Sequence, residues 1–331
     1  MAVKTIIRSS KKVLITGATG FIGQALCRAL VEENFDVRVL LRNPAKIALL
    51  PSSINAEPAV GDLLDLQSLV EACVNVDAIL HLAGEAHVGT ATKGEDTNVV
   101  GSANVLEAAL QNKVRRIIFL SSSLANDAEA DSENVTSYGK GKRATELLLL
   151  EAADKGQIET LILRPVNVYG IGMKGNIASM ISMIHRSRLP RLPKLSSKIS
   201  LLGVDDLASA ILMAANSART SRIYTVTDGQ DYPIAAIEEA IYRCLGKRLP
   251  RWRTPAVILY AAAVLAGAVA RVSGRDTGIS SRTYRNLTAD NLFKSEDICA
   301  ELGFQPSQNL YQALPEIVDN IVCQTNPPEF H

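Results

Sequence analysis

Two hydrophobic periodicities alternate through the first half of the chain. Val13-Leu14-Ile15 is a short β-branched run, and between Phe21 and Asn34 the apolar residues Ile22, Leu26, Ala29 and Leu30 recur at helical spacing. Further apolar runs occupy Val37–Leu41, Asp77–Leu82, Arg116–Leu120 and Thr160–Leu163. The intervening stretches, such as Leu66–Cys73, Ser102–Gln111 and Lys140–Ala153, carry the helical period. Strands read as unbroken apolar runs when helices cover both faces of a parallel sheet. The pattern therefore predicts an α/β fold built on a doubly wound parallel sheet, because β-α-β crossovers in this order have few other stable arrangements.

Past Arg164 the rhythm loosens. Ile171-Gly172-Met173-Lys174-Gly175 and Leu189-Pro190-Arg191-Leu192-Pro193 interrupt it, Ile223–Val226 returns as a strand, and a largely helical tail runs to about residue 324. The expected organisation is a sheet domain over residues 1–170, with a strand returning near 222–227, and a smaller, mostly helical lobe over 171–331 interleaved with it.

Composition narrows the function classes. The 331 residues include 35 Lys+Arg and 34 Asp+Glu, a formal charge of +1, so no broad basic field exists for nucleic acid and none is expected as a partner. The five cysteines are scattered, without a C-x-x-C pair, which predicts neither a disulfide framework nor a zinc site and points to a reducing, cytoplasmic setting. The opening MAVKTIIRSSKKVLITG lacks an apolar stretch long enough for a secretory signal. Pro255 to Ala270 is uncharged between Arg253 and Arg271. At 1.5 Å rise per residue it is too short to span a bilayer, so it reads as a buried or interface helix, with an interfacial membrane contact as the other reading.

Candidate chemistry begins at Thr16-Gly17-Ala18-Thr19-Gly20-Phe21-Ile22-Gly23, directly after the first strand. There Gly17 permits the tight turn, Gly20 lets backbone approach a pyrophosphate, and Gly23 allows the helix to pack on the strand, the Rossmann arrangement with phosphate at the helix N-terminus. The second strand ends Val39-Leu40-Leu41-Arg42-Asn43-Pro44, without the acid that would bond a ribose 2′-OH, and Asp36 comes too early to serve. Arg42, with Lys46 close by, suits a 2′-phosphate, so NADP is expected ahead of NAD, a solvated surface arginine being the other account. Asp62, after a short third strand, either bonds the adenine amino group or caps the helix beginning near Leu66.

Tyr138 and Lys142 stand four apart at the start of a helical stretch and share a face, whereas Lys140 points elsewhere. A neighbouring ammonium favours the phenolate, the requirement for a phenol that shuttles a proton while hydride moves. Ser121-Ser122-Ser123 follows a strand at the end where α/β sheets place ligands, and a hydroxyl there can donate to a carbonyl as charge develops. His81 and His87 have no carboxylate or cysteine at ligand spacing, so no metal is expected; His81 reads as a strand histidine with a satisfied hydrogen bond.

Together these pieces resemble the extended short-chain dehydrogenase/reductases, the NAD(P)-dependent sugar epimerase, dehydratase and reductase group. The matching segments are Thr16–Gly23, Gly61-Asp62, His81–Gly84, Asn98–Gly101, Ser121–Ser123, Tyr138 with Lys142, Leu163–Gly170 and Val204–Leu207. The resemblance implies that Ser123 is the catalytic hydroxyl, Tyr138 the acid/base and Lys142 its electrostatic partner and a ligand of the nicotinamide ribose. It implies a dinucleotide site formed by Gly17, Thr19, Gly20, Phe21, Ile22, Gly23, Arg42, Asp62, Leu63, Leu82, Ala83, Gly84, Asn98, Ser121, Tyr138, Lys142, Pro165 and Val166. Within the group, Tyr169–Asn176 and Ser200–Asp206 are most similar to bacterial nucleotide-sugar 4-ketoreductases and epimerase-like proteins of surface-polysaccharide synthesis. The implied substrate is a UDP-linked N-acetylhexosamine derivative, touched by Ser123, Asn167 and Asn176; for Asn176 a helix N-cap is an equal reading. The likeness also implies a homodimer through the helices following Asn98 and containing Tyr138.

After Ser123 the chain reads Leu124-Ala125-Asn126-Asp127, without the acidic pair of 4,6-dehydratases, which disfavours dehydration. The expected activity is reduction, or the reverse oxidation, at C4 of the sugar. The alternatives are a 4-epimerase, a steroid or lipid ketone reductase, and a dinucleotide-binding module without catalysis.

Overall fold

A computed structural model of the protein describes residues 11–33, 35–84, 93–130, 135–258, 260, 261, 264, 265 and 287–325. The chain divides into two compact units. The first comprises Met1–Val166, Val204–Val226 and Ser295–Gln305; the second comprises Asn167–Gly203, Thr227–Lys294 and Pro306–His331. Two stretches, Val204–Val226 and Ser295–Gln305, thus return to the first unit after residue 166.

In the first unit, strands β1 (Lys12–Thr16), β2 (Asp36–Leu41), β3 (Ala56–Val60), β4 (Ala78–His81), β5 (Arg116–Leu120) and β6 (Glu159–Pro165) precede the second unit's strands β7 (Asn167–Tyr169) and β8 (Lys198–Gly203), after which β9 (Arg222–Val226) returns. The seven strands of the first unit form one parallel sheet in the order β3-β2-β1-β4-β5-β6-β9. The order reverses beside β1, so β1 and β4 are the neighbours at the switch point, where open α/β sheets hold ligands beyond the strands' carboxyl ends. Helices α1 (Phe21–Glu32), α2 (Leu66–Ala72), α3 (Lys93–Gln111), α4 (Leu124–Glu129) and α5 (Ser137–Asp154) connect successive strands. Leu14, Leu40, Leu69, Ile79, Val105, Ile117, Phe119, Leu149 and Ile162 belong to one core cluster between sheet and helices. Strands β1, β2, β4, β5 and β6 are buried almost throughout, which is why their sequences are apolar without alternation, whereas the edge strands β3 and β9 are partly exposed and mix polar with apolar residues.

The second unit contains helix α6 (Asn176–His185) and, besides further helices, a three-stranded sheet of order β10-β8-β7, with β10 at Asp231–Pro233. The unit is mostly helical, as expected, and this small sheet is an addition to it. Two of its strands are only three residues long, and so short a segment has no periodicity to read. Within Pro255–Ala270, residues 255–258, 260, 261, 264 and 265 are described and are exposed rather than buried; the others lie outside the described residues. Among the described residues no helix is long and apolar enough to cross a membrane.

Candidate active site

The glycine turn is shaped by backbone against backbone. Gly17 has φ +79°, and a methyl there would lie 2.8 Å from the Ala83 amide nitrogen; a methyl at Gly23 would lie 2.2 Å from the Gly17 carbonyl oxygen. Gly20 differs: it is exposed, it precedes α1 with extended backbone, and its nearest neighbour to an added methyl is 3.3 Å away. Side chains at 17 and 23 would break the turn, whereas one at 20 would fill the space before the first amides of α1. That space fits a dinucleotide pyrophosphate. Thr19, Phe21 and Ile22 are half-buried around it.

The loop after β4 is tied to the end of β1. Leu82 donates to the Thr16 carbonyl (3.2 Å) and Ala83 to the Thr16 hydroxyl (3.2 Å). Beneath it Thr16 Oγ1 lies 2.7 Å from His81 Nδ1, His81 Nε2 lies 3.0 Å from Ser102 Oγ, and Ser102 donates to the Asn98 carbonyl (2.8 Å). Because the Ser102 proton is used on Asn98, the imidazole donates from Nε2 and accepts from Thr16 at Nδ1. Burial, with the charge of Lys142 adding, pushes His81 down to about 3, so it stays neutral. His81 is therefore a strut joining β1, β4 and α3; His87 lies outside the described residues. Among the described residues no group of three or more His, Cys, Asp or Glu side chains could hold a metal.

The Tyr138–Lys142 pair is set by α5. Thr136 caps the helix, accepting from the Gly139 amide at 2.7 Å. A methyl on Gly139 would lie 2.4 Å from the Leu124 carbonyl oxygen, so only glycine lets α5 approach the backbone directly after Ser123. Lys140 is exposed; Lys142 is buried, donates to the Leu120 carbonyl at 2.7 Å, and lies 4.6 Å from the Phe119 ring centroid and 5.6 Å from that of Tyr138. Its ammonium also approaches Gly84, where a methyl would stand 3.4 Å from Nζ and 3.5 Å from Asn98 Oδ1. The end of β5, the loop after β4, α3 and α5 thus converge on one ammonium.

The electrostatics differ from the sequence expectation at one point. Burial pushes Tyr138 up to about 12, so the phenol holds its proton. Burial pushes Lys142 down to about 8, opposed by the carboxylate of Glu146.

Ser123 is buried, donates its amide to the Pro165 carbonyl (2.9 Å) and precedes α4 without spending its hydroxyl as a cap. Val166 donates to Val226 (3.2 Å). The Ser121 hydroxyl is directed beneath the site, donating to Glu146 at 2.5 Å. Glu146 is fully buried and also accepts from Arg164 at 2.6 and 2.8 Å, while Arg164 pairs with Glu129 (2.7 Å) and bonds Asn126. This buried cluster escaped sequence reasoning, although the spacing of four between Lys142 and Glu146 marks a shared helix face.

At the far end of the cradle, Arg42 is exposed immediately after β2, with Lys46 exposed in the next turn. Asp36 sits at the opposite end of β2, paired with Lys12 at 3.5 Å. Asp62 does not cap α2: Asp65 does, accepting from Gln67 and Ser68, and Asp62 closes its own turn by accepting from Leu64 at 2.9 Å. Leu63 packs at Gly101, and Asn104 holds its carbonyl at 2.9 Å. In the second unit, Asn167 and Asn176 are both exposed. Asn176 is the first residue of α6 and Gly175, at φ +104°, is the cap, so the capping reading of Asn176 fails.

Comparison with known proteins agrees with this geometry. The family model described as the NAD dependent epimerase/dehydratase family matches residues 13–227. The chain is 26% identical over 271 residues to the UDP-glucose 4-epimerase of Vibrio cholerae, covering 75% of this chain and 79% of that one. It is 25% identical over 318 residues to the N-acetyl-alpha-D-glucosaminyl-diphospho-ditrans,octacis-undecaprenol 4-epimerase of Escherichia coli O157:H7, covering 91% and 92%. The fold matches the solved UDP-glucose 4-epimerase of Thermotoga maritima with a TM-score of 0.74, 19% identity and coverage of 95% and 100%. A glycine cradle at the switch point, a tyrosine and lysine on one helix face and a family match running through both lead to one conclusion: the chain belongs to the NAD-dependent epimerase/dehydratase family of oxidoreductases and epimerases.

Proposed function

We propose that this protein is an NADP(H)-linked 4-ketoreductase of a nucleotide-activated sugar, a UDP-linked N-acetylhexosamine derivative. The observation that carries the reading is the Lys142 ammonium, anchored on the Leu120 carbonyl and 5.6 Å from the Tyr138 ring centroid. When bound, the dinucleotide supplies the hydride. Tyr138 gives its proton to the C4 oxygen, and Ser123 donates a hydrogen bond to that oxygen as charge develops. Lys142 stabilises the phenolate left behind, and a phenol held near 12 is the proton-carrying form that reduction requires. The remaining contacts implied by the resemblance, including the substrate asparagines Asn167 and Asn176, belong to this proposal; the Ser121 hydroxyl, donated to Glu146, supports the site from beneath.

The cofactor preference rests on Arg42 and Lys46, exposed beyond β2, and on the placement of Asp36 at the other end of that strand. A second reading, a UDP-sugar 4-epimerase, is favoured by the two curated relatives above, both named as 4-epimerases.

One assay separates the two. Reduction of UDP-4-keto sugars should oxidise NADPH, read as falling absorbance at 340 nm, with Tyr138→Phe slower by roughly 10²–10⁴-fold when saturated with NADPH. Purified protein that retains NAD tightly and interconverts UDP-sugars without any change at 340 nm refutes the reductase.

A further inference from the structure

The chain has one tryptophan, Trp252, and it is 65% exposed. It precedes a short helical stretch of the second unit, in which residues 256–258, 260, 261, 264 and 265 are helical. Val257, Ile258, Tyr260, Val264 and Leu265 are all large and apolar or aromatic, and their exposure runs from 44% to 76%. Val257, Tyr260 and Val264 recur at i, i+3 and i+7, and Ile258 and Leu265 flank them at i and i+7, so these residues share one side of the helix. A side of this size and character left in water is costly, and contiguous exposure of this kind marks a contact surface.

The charge around it indicates what the contact is. Between Glu239 and Asp276 the sequence has no acidic residue, yet it holds Arg243, Lys247, Arg248, Arg251, Arg253, Arg271 and Arg275, in a chain whose overall charge is +1. Lys247 is used inside the unit, on the carbonyls ending α6, and Arg253 is held by Glu239 at 3.4 Å. Arg248 and Arg251 are exposed beside Trp252. A two-fold contact between copies of this chain would bring two such arginine-rich segments together, with Glu239, already paired with Arg191 and Arg253, as the carboxylate beside them, which is unfavourable. Trp and Tyr with flanking arginine above an aliphatic face is instead the composition of a segment lying in a membrane interface. The segment is too short to span one.

We propose that the Trp252–Leu265 face docks on the surface of an anionic phospholipid bilayer, with the aromatic and aliphatic side chains entering the headgroup boundary and Arg248 and Arg251 on the phosphates. The lone tryptophan makes the test direct, since all tryptophan emission comes from the proposed face. The full-length protein is titrated with vesicles of phosphatidylcholine alone and of equal parts phosphatidylcholine and phosphatidylglycerol. Expected with the anionic vesicles are a blue shift, quenching by bromine-labelled lipid and co-sedimentation, all reduced by high salt. The double variant Arg248→Ala/Arg251→Ala should partition roughly thirtyfold more weakly, and Val257→Asp should remove the blue shift, each with unchanged circular dichroism and NADPH affinity. Absence of binding to the anionic vesicles overturns the proposal. So does unchanged partitioning of the arginine variant. A blue shift that grows with protein concentration without lipid, in step with a dimer in sedimentation, would assign the face to a second copy and also overturn it.

Discussion

At the scale of single residues, the site depends on a buried carboxylate that touches no substrate atom in the proposed reaction. Glu146 accepts from Ser121 and Arg164 and sits one helical turn beyond Lys142, whose ammonium it helps keep charged. Glu146→Gln removes that charge, so Lys142 should lose its proton below its present value of about 8. The alkaline limb of kcat should move to lower pH, and stability should fall by about 3 kcal/mol because Arg164 is left with less compensation. An unmoved pH profile in a folded variant would show that Glu146 is structural only. His81 gives a second test. Its folded value, about 3, lies below the unfolded 6.5, so the native state binds fewer protons between those values. Its contribution is complete above pH 6.5 and is lost as pH falls toward 3, by about 1.4 kcal/mol per unit. His81→Asn should be less stable at neutral pH yet show an acid slope shallower by one proton in denaturation measured across that window.

At the scale of elements, the turn from β1 into α1 distinguishes folding from binding within eight residues. A methyl at Gly23 strikes the Gly17 and Ala18 carbonyl oxygens at 2.2 and 2.6 Å, whereas one at Gly20 meets only the Gly17 oxygen, at 3.3 Å. Gly23→Ala should therefore lower both stability, by roughly 1–3 kcal/mol, and dinucleotide affinity. Gly20→Ala should keep the denaturation midpoint while weakening dinucleotide binding, measured by titration of NADPH fluorescence. This turn, with β5 at Arg116–Leu120 and the face shared by Tyr138 and Lys142, was legible in the sequence because local steric rules govern each. The helix cap at Asp65 and the Gly139 contact with Leu124 were not. The cap is a local contact, Asp65 accepting from Gln67 and Ser68, but two aspartates three residues apart both suit a helix start, and the backbone a glycine must pass belongs to another element. Glu146 was missed for a related reason: a carboxylate on a polar helix reads as solvated until its burial is known.

At the scale of the whole molecule, the first unit must hold three separate stretches of chain together, and one side chain at the base of the sheet ties two of them. Arg116, the first residue of β5, is buried; it donates to Glu159 at 2.5 and 2.8 Å and to the carbonyls of Ala214, Ala215 and Ser217 at 3.2, 3.2 and 2.5 Å. Those carbonyls end the helix Val204–Asn216, which belongs to the segment that returns after the first excursion into the second unit. A guanidinium there both satisfies carbonyls without intrahelical partners and opposes the negative end of the helix dipole. Arg116→Met keeps the aliphatic bulk but deprives the carbonyls of their donor and Glu159 of its buried partner. The expected loss is about 2–3 kcal/mol, kept modest because Glu159 is one-third exposed and partly solvated. Arg116 starts the strand whose other end carries Leu120 and the serine run, so its replacement should leave NADPH affinity and kcat unchanged at temperatures where the variant is folded. Urea denaturation alongside steady-state kinetics tests this. A variant of full stability would mean that the returning segment is held by its apolar packing alone.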